Sequence, residues 1–356
     1  MSAQPDLRSP VAAERQAYYA ALRPLHLSPL WEQLHALVPP QPHSPCVAAH
    51  WRYEVLRSHL MRAGTIISAA EAVRRVLVLE NPALPGLASV TQSLYAGLQL
   101  ILPGEVAPAH RHTQSALRFV VEGQGAYTAV NGERTTMAPG DFIITPSWTW
   151  HDHGSDAAGP VVWLDALDIP LVRFLDAGFA ENLDAEQQKI ARPEGHNLAR
   201  YGANMAPLRE ASPHGATSPI FSYPYPRSRD ALTRLLRDGA IDAWDGVKLQ
   251  YINPASGGAA TPTMAAFLQL LPAGFDGKPY RQTDGVLSSV VEGRGVAVVG
   301  DGAGAQRFEF APRDHFVVPS WQALALQAHD ECVLFSFSDR PVQTATALWR
   351  EERLPR

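Results

Sequence analysis

Residues 98–127 read LQLILPGEVAPAHRHTQSALRFVVEGQGAY, and residues 267–298 read FLQLLPAGFDGKPYRQTDGVLSSVVEGRGVAV. The two stretches share one frame. Val120-Val121-Glu122-Gly123-x-Gly125 answers Val290-Val291-Glu292-Gly293-x-Gly295. Further on, Ala138-Pro139-Gly140-Asp141 with Pro146-Ser147-Trp148 answers Ala311-Pro312-Arg313-Asp314 with Pro319-Ser320-Trp321. A repeat with a period near half the chain argues for one folding unit present twice. Around the first copy run short β-branched or alternating segments: Arg75–Leu79, Ser93–Leu102, Leu117–Glu122, Ala126–Val130, Phe142–Thr145 and Val161–Ala166. Asn131-Gly132 between two of them is a hairpin signal, because both residues tolerate the positive φ that a tight turn needs. Strands this short and evenly spaced predict a mainly β fold of two small barrels rather than βαβ units.

The flanks have a different texture. Helix is expected over Ser9–Leu25, Leu30–Leu34, Trp51–Ala63 (with Gly64 as a stop) and Ser68–Val73. Pro39, Pro40, Pro42 and Pro45 make an extended linker. The organisation read from these shifts is a helical N-terminal arm over 1–73, a first barrel over 74–170 and a linker over 171–245. A second barrel over 246–340 and a helical tail over 341–356 follow. Within the linker, Ala185–Ala191 and Ala231–Leu236 look helical, and Ala345–Glu352 looks helical in the tail.

Composition narrows the function. In 356 residues, 46% hydrophobic and 18% charged, there is ample material for two cores. Lys and Arg total 30 against 35 Asp and Glu, so the net charge of -5 disfavours a nucleic-acid partner. No apolar run approaches the ~18–20 residues that span a bilayer, which disfavours a membrane partner. The first residues resemble neither a signal nor a transit peptide. Two cysteines far apart, Cys46 and Cys332, make neither a disulfide scaffold nor a zinc motif. The expectation is a soluble, cytoplasmic protein.

Chemistry concentrates in the first copy. Residues two apart on a strand share a face, so His110 and His112 point the same way. Closing a barrel brings His151 beside them. Three neutral imidazoles on one wall suit a divalent transition metal. A lone histidine in a β protein is most often structural or exposed, and His43, His50, His59 and His214 are read as surface or core residues. The trio differs because it falls at fixed spacing from Gly104, Gly123, Gly140 and Pro146. In the second copy the three positions hold Tyr280, Gln282 and Leu324, so that barrel is expected to be metal-free.

These residues give the resemblance. The chain looks like a cupin, whose motifs read G-x5-H-x-H-x3-4-E-x6-G and G-x5-P-x-G-x2-H-x3-N. The expected Glu falls at Ala116, with no carboxylate at Leu117, which leaves a site of histidines alone. Trp148 stands where the motif has Gly, and Ser155 where it has Asn. A two-cupin chain of this length with PAHRHTQSALRFVVEGQGAYT resembles the gentisate 1,2-dioxygenase family. That family also holds salicylate, 5-nitrosalicylate and 1-hydroxy-2-naphthoate dioxygenases.

The resemblance implies an Fe(II) bicupin that cleaves gentisate to maleylpyruvate, with a small aromatic hydroxy acid and O2 as its partners. It also implies a homotetramer. The alternatives are a monohydroxylated ring as substrate, a cupin isomerase or lyase, and a ligand-binding bicupin. By the same resemblance, Arg118 and Arg74 would bind the substrate carboxylate. Gln99 and His153 would hydrogen-bond substrate oxygens, and Asp165 would sit behind them as a partner of the site. The residues support part of this directly. Arg118 lies close enough after His112 to face the same cavity, and a guanidinium inside a barrel needs an anion. A ligating histidine usually donates its free N–H to a carboxylate or carbonyl, which favours Asp165. Arg74-Arg75 could equally be a solvated pair at a strand start. Tyr95, Gly97 and Gln99 alternate on one strand face and should line the pocket, with Gly97 leaving room that an alanine would fill.

Overall fold

A computed structural model describes residues 10–209, 216–239 and 241–355. His214 lies outside the described residues. The chain divides into two compact units at His43/Ser44.

In the smaller unit, the helix Pro10–Leu22 runs into a 3-10 turn, Arg23–Leu25, and a second helix follows at Leu30–Leu37. The turn ends at His26, whose φ of 55° places it in the left-handed region. Trp31 Nε1 donates to the Tyr19 hydroxyl at 2.8 Å, and that hydroxyl donates to Glu32. No described side chain of either helix is buried, and Leu30, Trp31 and Leu37 are all more than half exposed.

The larger unit holds two barrels, each made of a six-stranded and a five-stranded antiparallel sheet. In the first barrel the six-stranded order is Ser222–Tyr223, Phe142–Thr145, Ala116–Glu122, Val161–Leu167, Tyr95–Ile101 and Val76–Val78. Facing it lie Ala180–Asn182, Val106–His112, His151–Ser155, Ala126–Val130 and Glu133–Thr136. The second barrel repeats this plan. Ala49–Trp51 pairs on the edge strand His315–Val318, the place that Ser222–Tyr223 takes in the first barrel. The mainly β duplicated fold expected from the repeat is therefore present. Asn131 and Gly132, with φ of 47° and 80°, make the expected hairpin turn. The barrels join through apolar side chains on their facing sheets, where Phe119 stacks on Phe335 with ring centres 4.1 Å apart.

Several expected details change. Of the segment read as a helical arm, residues from Ser44 onward belong to the larger unit. Gly64 does not stop its helix, which runs Tyr53–Ile66. A Cβ there would lie 3.0 Å from Leu100 Cδ2 and 3.3 Å from Leu102 Cδ1, so the glycine permits a close helix–strand approach. Ala185–Ala191 is not helical. Ala109 N–H donates to Glu186 O, and Ala191 N–H and Arg192 N–H donate to Gly132 O, so hydrogen bonds to the barrel override local helix propensity. The tail helix is Arg340–Ala345, and the segment expected to be helical instead ends in a strand, Glu351–Arg353, paired with Tyr280–Gln282.

Candidate metal centre and its surroundings

His110 and His112 end the strand Val106–His112, and His151 begins its neighbour, paired with His110 across the ladder. Alternation turns all three rings into the barrel. Their ligand atoms lie within 4.8 Å of one another. Each Nδ1 meets a main-chain carbonyl: Pro108 O at 3.3 Å from His110, Gln114 O at 2.8 Å from His112, and Thr149 O at 3.0 Å from His151. At His112 and His151 those carbonyls favour the tautomer that leaves Nε2 bare for a metal, whereas His110 Nδ1 also meets the Arg74 guanidinium. The donor set fits a divalent transition ion.

Burial, with the charge of Arg74 and the ring of His112 beside it, pulls His110 down to about 3. Burial, with Arg118 and Arg74 nearby, pulls His112 down to about 4. His151 falls well below its ordinary value for the same first reason. The rings are neutral, as a ligand set requires. In the metal-free protein the unfolded chain, with histidines near 6.5, binds more protons than the native one between about pH 6.5 and 4. Stability is therefore complete above pH 6.5 and falls as the solution is acidified, by up to ~1.4 kcal/mol per pH unit for each such histidine. Urea midpoints of chelator-treated protein at about pH 7.5 and about pH 5 check this. Equal midpoints would contradict it.

Arg118 is buried on the strand Ala116–Glu122. Its Nη1 donates to Thr145 Oγ1 at 2.5 Å, and its Nε lies 3.3 Å from Asp165 Oδ1. That approach is an ion pair without hydrogen-bond alignment, since Nε has no proper acceptor. Burial pushes the Asp165 carboxyl up to about 6, against the pull of Arg118 and of Trp163 Nε1, which donates to it at 3.0 Å. Burial lowers the Arg118 guanidinium, with Asp165 opposing. Asp165 thus partners Arg118, whereas the sequence argument paired it with a ligating histidine; main-chain carbonyls already take those N–H groups.

The two adjacent arginines separate. Arg75 forms a two-pronged pair with Glu105 at 2.8 and 2.9 Å and also donates to Ile67 O, so the solvated-pair reading does not hold. Arg74 Nη2 lies 2.6 Å from Pro108 O and 2.5 Å from His110 Nδ1. Burial and the charge of Arg118 lower Arg74 to about 10. His153 is buried two residues past His151, with Nδ1 2.9 Å from Thr128 Oγ1 and its ring against Trp163. Gln99 is buried opposite Trp163 in the ladder. Burial raises the Tyr95 hydroxyl, and the nearby Asp165 charge adds to this. Gly97 does not leave open room: a Cβ there would come within 2.5 Å of Val76 Cγ1 and 2.9 Å of Tyr95 Oη.

Sequence reasoning missed Thr145 and Thr128, which hold Arg118 and His153. The position of Thr145 just before the motif proline was the available signal. It also missed that Trp148, standing for the motif glycine, keeps the glycine's backbone with φ of 59°. Such a conformation costs a non-glycine residue about 1–3 kcal/mol. In the second barrel Tyr280 and Leu324 face each other, and Lys248 Nζ lies 3.0 Å from Asp245 Oδ1 and 3.5 Å from the Tyr280 hydroxyl. No cluster of metal-ligating groups lies there among the described residues. A cavity of about 280 Å³ lined by Tyr223, Tyr251 and Leu268 lies away from the histidines.

Residues 97–167 match the family model described as a cupin domain. Gentisate 1,2 dioxygenase 1 of Aquipseudomonas alcaligenes is 52% identical over 343 residues, covering 96% of this chain and 97% of the relative. The 5-aminosalicylate 1,2-dioxygenase of Comamonas sp is 32% identical, with 92% and 87% covered. Among solved structures, salicylate 1,2-dioxygenase from Pseudoaminobacter salicylatoxidans as an adduct with gentisate superimposes with a TM-score of 0.90. It is 33% identical, with 99% of this chain and 96% of that chain covered.

Proposed function

The chain belongs to the gentisate 1,2-dioxygenase family of bicupin ring-cleaving dioxygenases, and from that premise we propose that it opens the ring of gentisate with Fe(II) held by His110, His112 and His151. The bond broken joins the carboxyl-bearing carbon to the adjacent hydroxylated carbon. Both atoms of O2 enter the product, maleylpyruvate, and no external reductant is consumed. The observation that carries the metal assignment is three neutral imidazoles, His151 buried and His110 and His112 partly so, whose ligand atoms converge within 4.8 Å. When bound, the iron supplies a redox-active centre that couples an electron-rich ring to dioxygen.

The protein's own groups bind and orient. Arg118 receives the substrate carboxylate, because its guanidinium is buried and only loosely met by Asp165. Asp165 and Thr145 hold that guanidinium in place. Arg74 adds a second positive charge to the carboxylate end. Gln99 and His153 hydrogen-bond the ring oxygens, and burial keeps His153 neutral. Tyr95 and Gly97 shape the wall beside them. Two free, buried cysteines support a reducing, cytoplasmic setting. No described helix is long and apolar enough to cross a membrane. The homotetramer is carried over from the family resemblance, and the exposed Leu30, Trp31 and Leu37 are apolar surface that self-association would cover.

An oxygen electrode with gentisate and Fe(II) tests the reading. Rapid uptake at about one iron per chain is expected, because Tyr280, Gln282 and Leu324 cannot make a second tight site. Uptake with salicylate or 5-nitrosalicylate but not gentisate would replace the substrate. No uptake with any of them would favour an isomerase or lyase. Gly97→Ala should reduce turnover of salicylate more than that of gentisate. The new methyl group must displace Val76 or the Tyr95 hydroxyl, and a ring with one activating hydroxyl tolerates misplacement worst. An unchanged ratio of the two uptake rates would remove Gly97 from the pocket wall.

A further inference from the structure

Arg111 stands between His110 and His112 and points away from them. Its guanidinium carbon lies 4.4 Å from the ring centre of Trp148 and 4.7 Å from that of Trp150. Its Nε and Nη2 both donate to Oε2 of Glu181, at 2.8 and 2.5 Å. Glu181 belongs to the strand paired with His110–His112. Trp148 N–H donates to His112 O at 2.8 Å. Trp150 immediately precedes His151. One side chain therefore ties together the segments that carry all three histidines.

The second barrel supplies an internal control. Arg281 stands between Tyr280 and Gln282, with its guanidinium carbon 4.9 Å from the Trp321 ring centre. Its Nε and Nη2 reach Glu352 Oε2 at 2.8 and 2.6 Å. Glu352 lies on the strand paired with Tyr280–Gln282, and Trp321 has a φ of 63°, close to that of Trp148. The Arg–Trp–Glu cluster thus recurs where no ligand is present, so it belongs to the fold. The second ring does not recur. Counting from the shared Pro-Ser-Trp, the counterpart of Trp150 is Ala323.

We infer that Trp150, gripped by Arg111, is a positioning residue of the metal centre, setting where His151 enters its strand relative to His110 and His112. The inference rests on the reading of those histidines as metal ligands. The turn from Pro146 to Trp150 has no regular structure. Its end is held by Asn131 N–H donating to Trp150 O at 2.9 Å and by the stacked guanidinium. A cation–aromatic contact is directional enough to fix the ring, and with it the backbone that leads into the ligand. Contacts one step behind a ligand typically change metal affinity about 10–100-fold.

The test measures iron(II) release to a chromogenic chelator, together with urea unfolding of the metal-free protein. Trp150→Ala, which copies the second barrel, should release iron on the order of tenfold faster or more. Arg111→Ala should do at least as much, and Trp150→Phe should restore slow release. Trp150→Leu, which keeps the apolar bulk but no ring, should behave as Trp150→Ala and guards against misfolding. Arg281→Ala is the structural control: it should lower the urea midpoint without changing iron release. Release from Trp150→Ala at the unmutated rate, or equal acceleration by Arg281→Ala, would overturn the inference. Unmutated protein that binds no iron would overturn the ligand assignment and this inference together. Tight iron in the unmutated protein with unaltered release from Trp150→Ala would overturn this inference alone.

Discussion

His112→Ala is expected to abolish both bound iron and oxygen uptake. The site has no carboxylate ligand, since Ala116 stands where the cupin motif carries Glu, so three imidazoles are already a minimal set. Removing one leaves His110 and His151, whose rings stand 4.2 Å apart and cannot hold a labile divalent ion against dilution. The fold should survive, because His112 ends its strand and is only partly buried. Metal analysis and oxygen uptake, with circular dichroism as the folding control, check this. Full iron occupancy in His112→Ala would remove the residue from the ligand set.

Arg118→Lys should lower kcat/KM severely. Lysine keeps the charge but loses the planar fork, so it cannot meet Thr145, Asp165 and a substrate carboxylate together. It would also leave Asp165 in a buried setting that already raises its carboxyl to about 6. Breaking one partner of a buried charged pair costs about 2–5 kcal/mol, on the order of thirtyfold or more. Arg118→Met removes the charge entirely and should lose more. Near-normal turnover in Arg118→Met would refute the role, and steady-state kinetics with gentisate decides it.

The grouping of His110, His112 and His151 was legible because the motif frame fixes spacing, and strand alternation then fixes direction. The counterpart positions in the second barrel were readable in the same way: alignment on the shared Val-Val-Glu-Gly-x-Gly and Pro-Ser-Trp stretches names Tyr280, Gln282 and Leu324. What stayed hidden depends on contacts between segments distant in sequence. Nothing local separates Arg74 from Arg75, yet one reaches Pro108 O beside His110 and the other pairs with Glu105. Gly64 reads as a helix stop until Leu100 and Leu102 are seen pressing on it. Ala185–Ala191 has helical composition, but the hydrogen-bonding groups of the barrel hold it extended. The room attributed to Gly97 is taken by Val76, which lies on a neighbouring strand. Pattern reports which face a residue lies on; it does not report what else already occupies that face.

One iron, held in the first barrel alone, is expected to serve this chain in putting both atoms of dioxygen into gentisate. Turnover of gentisate under ¹⁸O2 by protein of known iron content tests it most directly. A ring-opened product is expected that carries both labelled atoms when trapped before its keto oxygen exchanges with water, formed in proportion to iron at about one per chain. A product with no label in its new carboxyl group, or activity that needs close to two irons per chain, would contradict it.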